Sequence, residues 1–259
     1  MFVIGTILAS IIGYFVGSFS FSITVVKIKT KKDIRQEGSK NAGATNASRI
    51  LGKAWGVVIV FLDAFKILFT AIIAMLFSYI PSPAFNETSF FVASFFAVLG
   101  HCFPIYYKFK GGKAVSCFFG LMMVTNWAIL LVFFGLWWLI LLTTKKVSIA
   151  SIFSSIISMI LLWVPQITGG SSFIINGIEF FTPIYDNGNH LCWFNYLYVW
   201  NKHSYFESFL TMNIVVTMST IVLILRHVPN IKRLIKGVEP AYLKSKKDKK
   251  EQTLSNEKK

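Results

Sequence analysis

The sequence predicts an all-α integral membrane protein with seven transmembrane helices, an outside N-terminus and a cytoplasmic C-terminus. Apolar residues make up 54% of the 259 residues and charged residues only 14%, with a mean hydropathy of +0.61. Soluble domains carry about one quarter charged residues, and disordered chains are far less apolar. Both classes are therefore excluded for most of the chain. The net charge of +15 has to lie in the loops, because charge is costly in lipid.

The first span is predicted from residues 1–26, which carry no charge. This stretch exceeds the roughly 20 residues needed to cross a bilayer core. A secretory signal would carry its positive charge ahead of the apolar stretch. The first cation, Lys27, follows it instead. We therefore expect a retained helix whose N-terminus lies outside.

The number of spans depends on one long apolar run, residues 114–144, which Thr125 and Asn126 interrupt. If this run forms two helices, 24 of the 26 Lys and Arg residues lie in loops on one side of the membrane. Lys202 then lies opposite and Lys66 lies within a span. The positive-inside rule favours this arrangement, which gives seven spans. The other apolar runs are residues 54–80, 89–107, 147–164 and 209–225.

Splitting this run leaves residues 114–124 as a helix of about 17 Å, at 1.5 Å per residue. So short a helix is stable in lipid only where protein or water shields its ends, which makes its N-terminus a candidate site. Residues 1–242 are predicted to form one membrane domain with an extracytoplasmic loop at 165–208. Residues 243–259 form a charged cytoplasmic tail, either simply solvated or bound to anionic lipid.

The unusual polar residues lie in three segments on the predicted cytoplasmic side. The first segment, residues 37–49, combines glycines, small residues and hydroxyls and ends in Arg49. This pattern lets backbone N–H groups and hydroxyls approach an oxyanion, although Gly/Ser/Asn clusters also form ordinary loops. The second segment, residues 108–113, places Gly111 and Gly112 among lysines directly before the short helix. Phosphate binding is the chemistry it favours, and a basic loop that only sets topology is the alternative.

The third segment, residues 226–239, lies at the inner end of the last span. Pro229 and Gly237 bracket a predicted helix of about two turns. Taken alone, this segment is also typical of a stop-transfer sequence. The three cysteines offer neither a disulfide framework nor the spacing of metal ligands, so we expect no metal and no cofactor.

Two features lie inside the predicted spans. Asp63 and Lys66 are three residues apart and therefore share a helix face. Such a pair is either functional or serves only to neutralise charge and orient the helix. His101 is either a proton carrier or a hydrogen-bonded packing residue.

These segments resemble the three motifs of the bacterial acyl-phosphate:glycerol-3-phosphate acyltransferases of the PlsY type. The resemblance extends to Gly17-Ser18, residues 63–66 and Gly100-His101, and covers most of the chain except residues 165–208 and the tail. It implies seven transmembrane helices in the cell membrane, with the active site on the cytoplasmic side. It also implies transfer of a fatty acyl group from acyl phosphate to the 1-hydroxyl of glycerol 3-phosphate, giving lysophosphatidate and phosphate.

The resemblance also assigns roles to individual residues. It implies catalytic roles for four residues and substrate binding for seven, with three more as structural supports. The catalytic group is Ser39, Arg49, His227 and Asn230. The substrate-binding group is Asn41, Thr45, Asn46, Lys108, Gly111, Gly112 and Lys113, and the structural group is Glu239, Asp63 and Lys66. Three positions depart from the family pattern: Ala114 replaces a glycine, Cys117 a threonine and Val228 an arginine.

The residues suit this chemistry. Two phosphate-bearing substrates need two anion cradles, which Arg49 and the second segment supply. Acyl phosphate has a good leaving group, so direct attack by the glycerol hydroxyl is sufficient, helped by proximity and oxyanion stabilisation. The base is either His227 or a substrate phosphate oxygen. The alternative is that Ser39 acts as a covalent nucleophile, but no His/Asp relay is visible around it in the sequence.

Two other classes of function are disfavoured. A transporter of organic phosphates should show related halves and polar groups near the membrane midplane, and neither feature is seen. A nucleic-acid binder should interleave aromatic residues with Lys and Arg, and the basic tail does not. The expected partners are glycerol 3-phosphate, acyl phosphate and membrane lipid, with no nucleic acid. A transient contact with the enzyme that makes acyl phosphate stays open.

Overall fold

The structure is a computed structural model that describes residues 4–164 and 209–243, and this part of the chain is helical without strands. The predictions for the 165–208 loop and for the tail after residue 243 fall outside the described residues. The helices are α1 (Ile4–Ser18), α2 (Phe21–Thr30), α3 (Ala44–Leu51), α4 (Lys53–Ser78), α5 (Phe90–Cys102), α6 (Val115–Thr125), α7 (Trp127–Thr144), α8 (Val147–Leu162), α9 (Phe209–Arg226) and α10 (Val228–Ile235), with a 3₁₀ turn at Ile105–Tyr107.

Four helical stretches within the described ranges are long and apolar enough to cross a membrane: Ile4–Thr30, Lys53–Ser78, Phe90–Tyr107 and Trp127–Thr144. A fifth is obtained if α9 and α10, which are bent by 53°, count as one span. Helices α6 and α8 are apolar but shorter. The predicted all-α membrane fold is thus confirmed, whereas the count of seven spans stays a prediction.

Two helix breaks have visible causes in the sequence. Asn126 ends α6 and begins α7, because its side-chain oxygen accepts a hydrogen bond from the Ile129 N–H at 3.0 Å. This break confirms that residues 114–144 form two helices. The first predicted span also breaks, between α1 and α2, where the Ser20 hydroxyl caps α2 by accepting from Ile23 N–H.

Helices α1 and α5 share the most extensive contact of the helix pairs in the described residues. Gly13 and Gly17 face Ala93 and Ala97 so closely that a Cβ at either glycine would collide with the backbone of α5. This spacing of small residues is the one that lets membrane helices approach through their backbones. It fixes the end of α1 against the end of α5, next to the second segment.

The first segment has a small apolar core of its own. Ile34, Ala42 and Ala47 pack with residues of α2 and α4, including Val26 and Ile59. The main core joins α1 and α4 to α9 through residues such as Ile67 and Phe118. The loop that carries Ser39 is therefore fixed at both of its ends, although its tip lies in solvent.

Candidate functional site

The three polar segments meet at one end of the helix assembly. The Lys113 ammonium donates to Asn230 Oδ1 at 2.6 Å, which joins the second segment to the third. The hydroxyls of Ser48 and Tyr242 lie 3.1 Å apart, which joins the first segment to the chain just beyond the third. The first and second segments touch where Gly112 packs against the carbonyl oxygen of Ala42.

Asn46 holds the first segment in shape. Its side-chain oxygen accepts from the Ser39 N–H at 2.9 Å, and its amide donates to the carbonyls of Ile34 and Glu37 at 3.0 and 2.9 Å. The residue is fully buried, so this amide is occupied within the loop. Ser39 and Arg49 are exposed, and Asn41 and Thr45 are partly exposed. These four residues are therefore more accessible than Asn46.

The second segment is held from two sides. Arg226 donates to the carbonyls of Gly111 and Gly112, both at 3.0 Å, and its guanidinium lies over the Phe103 ring. The Gly112 N–H donates to the carbonyl of His101 at 3.1 Å. This N–H is therefore occupied, whereas the first N–H groups of α6 and the Lys113 side chain can donate to an anion.

The second segment makes its turn at Ala114, the position at which the family usually has a glycine. The φ of Ala114 is +65° and ψ is −2°, a left-handed conformation that is unfavourable for a residue with a Cβ. The alanine itself therefore takes the turn, and its methyl group is fully buried. The turn directs Lys113 toward the third segment immediately before α6 begins.

The third segment forms a saturated hydrogen-bonded network around Glu239. One carboxylate oxygen accepts from Asn230 at 2.6 Å and from Ser148 at 2.8 Å, and the other accepts from Arg233 at 2.7 Å. Burial raises the pKa of the Glu239 carboxyl, but these three hydrogen bonds outweigh it and hold the pKa below its usual value. Glu239 thereby fixes the orientation of the Asn230 amide that receives Lys113.

His227 is buried beside this network at the junction of α9 and α10. Its Nδ1 lies 2.8 Å from the carbonyl oxygen of Leu223, which can only accept a hydrogen bond. The Nδ1 atom is therefore the protonated nitrogen, and Nε2 is the one able to accept a proton.

The Lys113 ammonium lies near three cations and one carboxylate. Burial above all, together with the cations Arg233, Arg226 and Arg49, lowers the pKa of its ammonium to about 8, although Glu239 acts in the opposite direction. An anion bound here would relieve this repulsion. The site is thus poised to attract negative charge.

A cationic cleft of about 420 Å³ lies between the first and second segments. Its lining includes five cations and a single carboxylate, Asp33. Arg35 donates to Asp33 and lowers the pKa of that carboxyl, and it also donates to the carbonyl of Tyr107 at 2.9 Å. Asn41 and Gly111 line the same cleft. The lining cations are Arg35, Lys40, Lys108, Lys110 and Arg226.

The predicted pair of Asp63 and Lys66 is present, with Lys66 Nζ 3.0 Å from Asp63 Oδ1 inside the helix assembly. The sequence did not predict that Lys66 Nζ contacts His101 Nδ1, at 2.9 Å. It also did not predict the hydrogen bonds from Arg226 to the second segment. Both depend on contacts between distant parts of the chain. Within residues 4–164 and 209–243, no group of His, Cys, Asp and Glu side chains is arranged to hold a metal ion.

Comparisons with known proteins show which family the chain is similar to. The family model described as "Glycerol-3-phosphate acyltransferase" matches residues 7–237. A glycerol-3-phosphate acyltransferase of Mycoplasma capricolum is 47% identical over 249 residues, which cover 95% of this chain and 96% of that protein. The Staphylococcus carnosus protein of the same name is 35% identical over 236 residues, covering 90% and 96%.

Two solved structures are also similar to this chain. Both are of PlsY, an integral membrane glycerol 3-phosphate acyltransferase, in its glycerol 3-phosphate and lysophosphatidic acid forms. The TM-scores are 0.65 and 0.63, at 30% and 29% sequence identity. Each comparison covers 91% of this chain and 94% of the PlsY chain.

Proposed function

This chain belongs to the glycerol-3-phosphate acyltransferase family, and we propose that it transfers a fatty acyl group from acyl phosphate to the 1-hydroxyl of sn-glycerol 3-phosphate. The products are lysophosphatidate and inorganic phosphate. The observation that carries the proposal is the meeting of the three segments, above all the hydrogen bond from Lys113 to Asn230. That bond brings together the phosphate-suited loop and the segment that carries His227.

The proposed site holds two phosphates. One is held by Lys113 and the N-terminus of α6, where helix N–H groups and the ammonium favour an anion. The other lies near Arg49, whose guanidinium can donate two parallel hydrogen bonds. Two cradles fit a reaction in which both substrates carry phosphate. The cleft beside the second segment adds further positive charge that draws in anionic substrates.

The reaction needs no covalent intermediate with the protein. The 1-hydroxyl oxygen attacks the acyl carbon, the bond between that carbon and the phosphate oxygen breaks, and inorganic phosphate leaves. The hydroxyl proton passes to Nε2 of His227 or to a substrate phosphate oxygen. The hydrogen bond from His227 Nδ1 to the Leu223 carbonyl supports the first route, because it leaves Nε2 free of a proton.

The membrane arrangement is part of the proposal. Counting α1 with α2 and α9 with α10, the described residues hold seven apolar helical units, two of them short. Seven crossings place the cationic loops on one side, which is the cytoplasmic side of the cell membrane by the positive-inside rule. A cysteine introduced at Ser82 should then react with an impermeant thiol reagent from outside, and one at Ser39 should not. The opposite labelling would overturn the topology.

The donor is tested with purified full-length protein and labelled glycerol 3-phosphate. One reaction contains acyl phosphate, and its twin contains acyl-CoA with the same chain. We expect lysophosphatidate from acyl phosphate alone, without added metal. Formation of product only from acyl-CoA would overturn the proposed donor while leaving the family assignment intact.

A further inference from the structure

His101, at the end of α5, contacts the second segment twice. Its carbonyl oxygen accepts the hydrogen bond from the Gly112 N–H at 3.1 Å. Its ring lies directly over Gly112, so that a Cβ added to Gly112 would overlap with the Nε2 and Cε1 atoms of the imidazole. The absence of a side chain at Gly112 therefore makes room for the histidine ring. Any rotation of that ring has to displace the loop that leads to Lys113.

Lys66 determines how the ring is held. Its Nζ lies 2.9 Å from His101 Nδ1, and an ammonium can only donate, so Nδ1 is the acceptor. The imidazole side chain is 4% exposed and the ammonium side chain 3% exposed. Water therefore cannot replace this bond easily, and the ring has one preferred orientation.

The same ammonium also contacts the end of α1 and a carboxylate of its own helix, α4. It donates to the carbonyls of Gly17 and Phe19, at 2.9 and 3.1 Å, where α1 ends. It also forms an ion pair with Asp63 one helical turn away in α4. The three ammonium protons thus go to Gly17 O, Phe19 O and His101 Nδ1, and Asp63 supplies the opposite charge. Buried ion pairs of this kind are weak evidence for stability, since apolar residues pack as well, but they can fix a specific geometry.

We propose that Asp63, Lys66 and His101 form a positioning cluster that holds the second segment in the position required to bind glycerol 3-phosphate. The cluster acts through Gly112 and touches no reacting atom. Because α1, α4 and α5 meet at this cluster, it fixes the position of Lys113 and of the N-terminus of α6. This inference deepens the proposed function and rests on it for the identity of the ligand.

The first test compares two substitutions of His101. His101→Asn keeps an acceptor near the position of Nδ1 and so retains the bond from Lys66, although it lacks the ring. His101→Phe keeps a ring over Gly112 but offers Lys66 no acceptor. We expect His101→Phe to weaken binding of glycerol 3-phosphate by about tenfold or more, the effect of one lost charged hydrogen bond. His101→Asn should lose less. Calorimetry on the full chain in detergent gives the Kd directly.

Steady-state kinetics distinguishes a specific loss of substrate positioning from a general loss of active protein. The KM for glycerol 3-phosphate should rise in His101→Phe, whereas the KM for acyl phosphate and kcat should change by less than about threefold. The charge-neutral double variant Asp63→Asn/Lys66→Met should behave in the same way, because it removes the donor to Nδ1 without leaving a lone buried charge. This variant also provides the test if His101→Phe does not fold.

A cycle of substitutions tests the contact with Gly112. Gly112→Ala alone should weaken binding, because its Cβ meets the imidazole. Gly112→Ala combined with His101→Ser has room for that Cβ. The combined loss should therefore be smaller than the product of the two single losses, as expected for residues in direct contact. Simple multiplication of the two effects would contradict the proposed contact.

The matched control is Asn126→Ala. Asn126 is a buried polar residue that caps α7 at the far end of α6 from the second segment. Its loss should lower the melting temperature without changing the Kd for glycerol 3-phosphate. If the cluster variants lowered the melting temperature in the same way and kept the wild-type Kd, the cluster would be merely structural and the inference would fail. Failure of the donor assay leaves this binding test unaffected, so the two proposals can fail separately.

Discussion

The two sides of the candidate site differ in how far they are organised before any ligand arrives. On one side, Lys113, Asn230 and Glu239 form a continuous hydrogen-bonded chain that is largely buried. On the other side, Ser39 and Arg49 are exposed, and neither side chain forms a hydrogen bond within the described residues.

This contrast indicates where ordering costs arise. An exposed arginine loses rotamer freedom only when a substrate binds, whereas the buried side has already lost it on folding. We therefore expect substitutions on the buried side to change both stability and activity. Substitutions on the exposed side should change activity alone.

The sharpest test of the exposed side is Arg49→Ala. We expect kcat to fall by about 10²–10³-fold, or about 2.7–4 kcal/mol, the usual cost of losing one group that stabilises developing charge. The melting temperature should stay unchanged because the side chain has no partner to lose in the described structure. Steady-state kinetics and a thermal scan in the same detergent measure both quantities.

Lys53→Ala is the matched control for Arg49. Lys53 is also an exposed cation and lies at the start of α4, four residues along the chain. It should retain nearly full activity, since general positive charge is screened by salt. Equal losses in the two variants would mean that the local field, and not the guanidinium, matters.

On the buried side, the largest expected effect belongs to Glu239→Ala. It removes the acceptor for Asn230, Ser148 and Arg233 and leaves the buried donors of Asn230 and Ser148 unpaired. We expect a loss of about 1–3 kcal/mol in stability, together with a smaller loss of kcat than Arg49→Ala produces. Thermal unfolding and steady-state kinetics on the same preparation measure the loss of stability and the loss of kcat.

Glu37→Ala supplies the comparison for Glu239. Its ion pair with Lys32, at 3.1 Å, lies on the surface of the first segment, and such pairs contribute little to stability. This variant should melt close to the wild type. If it destabilised the protein as much as Glu239→Ala, the distinction between a buried and an exposed side would be wrong.

The pH dependence sharpens the comparison further. Burial first, and neighbouring cations second, lower the pKa of Lys113 to about 8. Its side chain is therefore mostly charged below pH 8 and mostly neutral above it. The kcat/KM for glycerol 3-phosphate reports the free enzyme and should fall roughly fifteenfold between pH 8 and pH 9.5. In Lys113→Arg the guanidinium stays charged throughout this range. A fall of the same size in that variant would assign the pH dependence to another group.

The sequence predicted the features that depend on neighbouring residues. Asn126 before an apolar run is a recognisable helix cap, and Pro229 and Gly237 delimit α10 as expected. The charge bias predicted that the three segments share one side, and in the structure they meet. The break of the first span at Ser20 was missed, because hydrophobicity continues across it.

The features that sequence reasoning missed depend on contacts across the fold. Arg226 reads as one more cation at a membrane boundary, and only its distances to Gly111 and Gly112 reveal that it holds the second segment. Asn46 shows the same limit. Its residue type fits ligand binding equally well, until burial and three loop hydrogen bonds show that its amide is occupied.

The smallest expected effect concerns the turn at Ala114, where the buried side retains strain. A left-handed φ of +65° costs a residue with a Cβ roughly 1–2 kcal/mol, and glycine avoids that cost. Ala114→Gly also loses a fully buried methyl group, which offsets part of the gain. The informative comparison is with Ala150→Gly, where the methyl is equally buried but the backbone is helical. Ala114→Gly should be the more stable variant by about 2–3 kcal/mol, because Ala150→Gly also incurs the cost of about 1 kcal/mol of a glycine within a helix. That difference corresponds to about 2–4 °C in melting temperature for each kcal/mol. A difference of only about 1 kcal/mol, the cost of glycine within the helix, would show that the turn carries no strain, and the buried side would then be organised by hydrogen bonds alone.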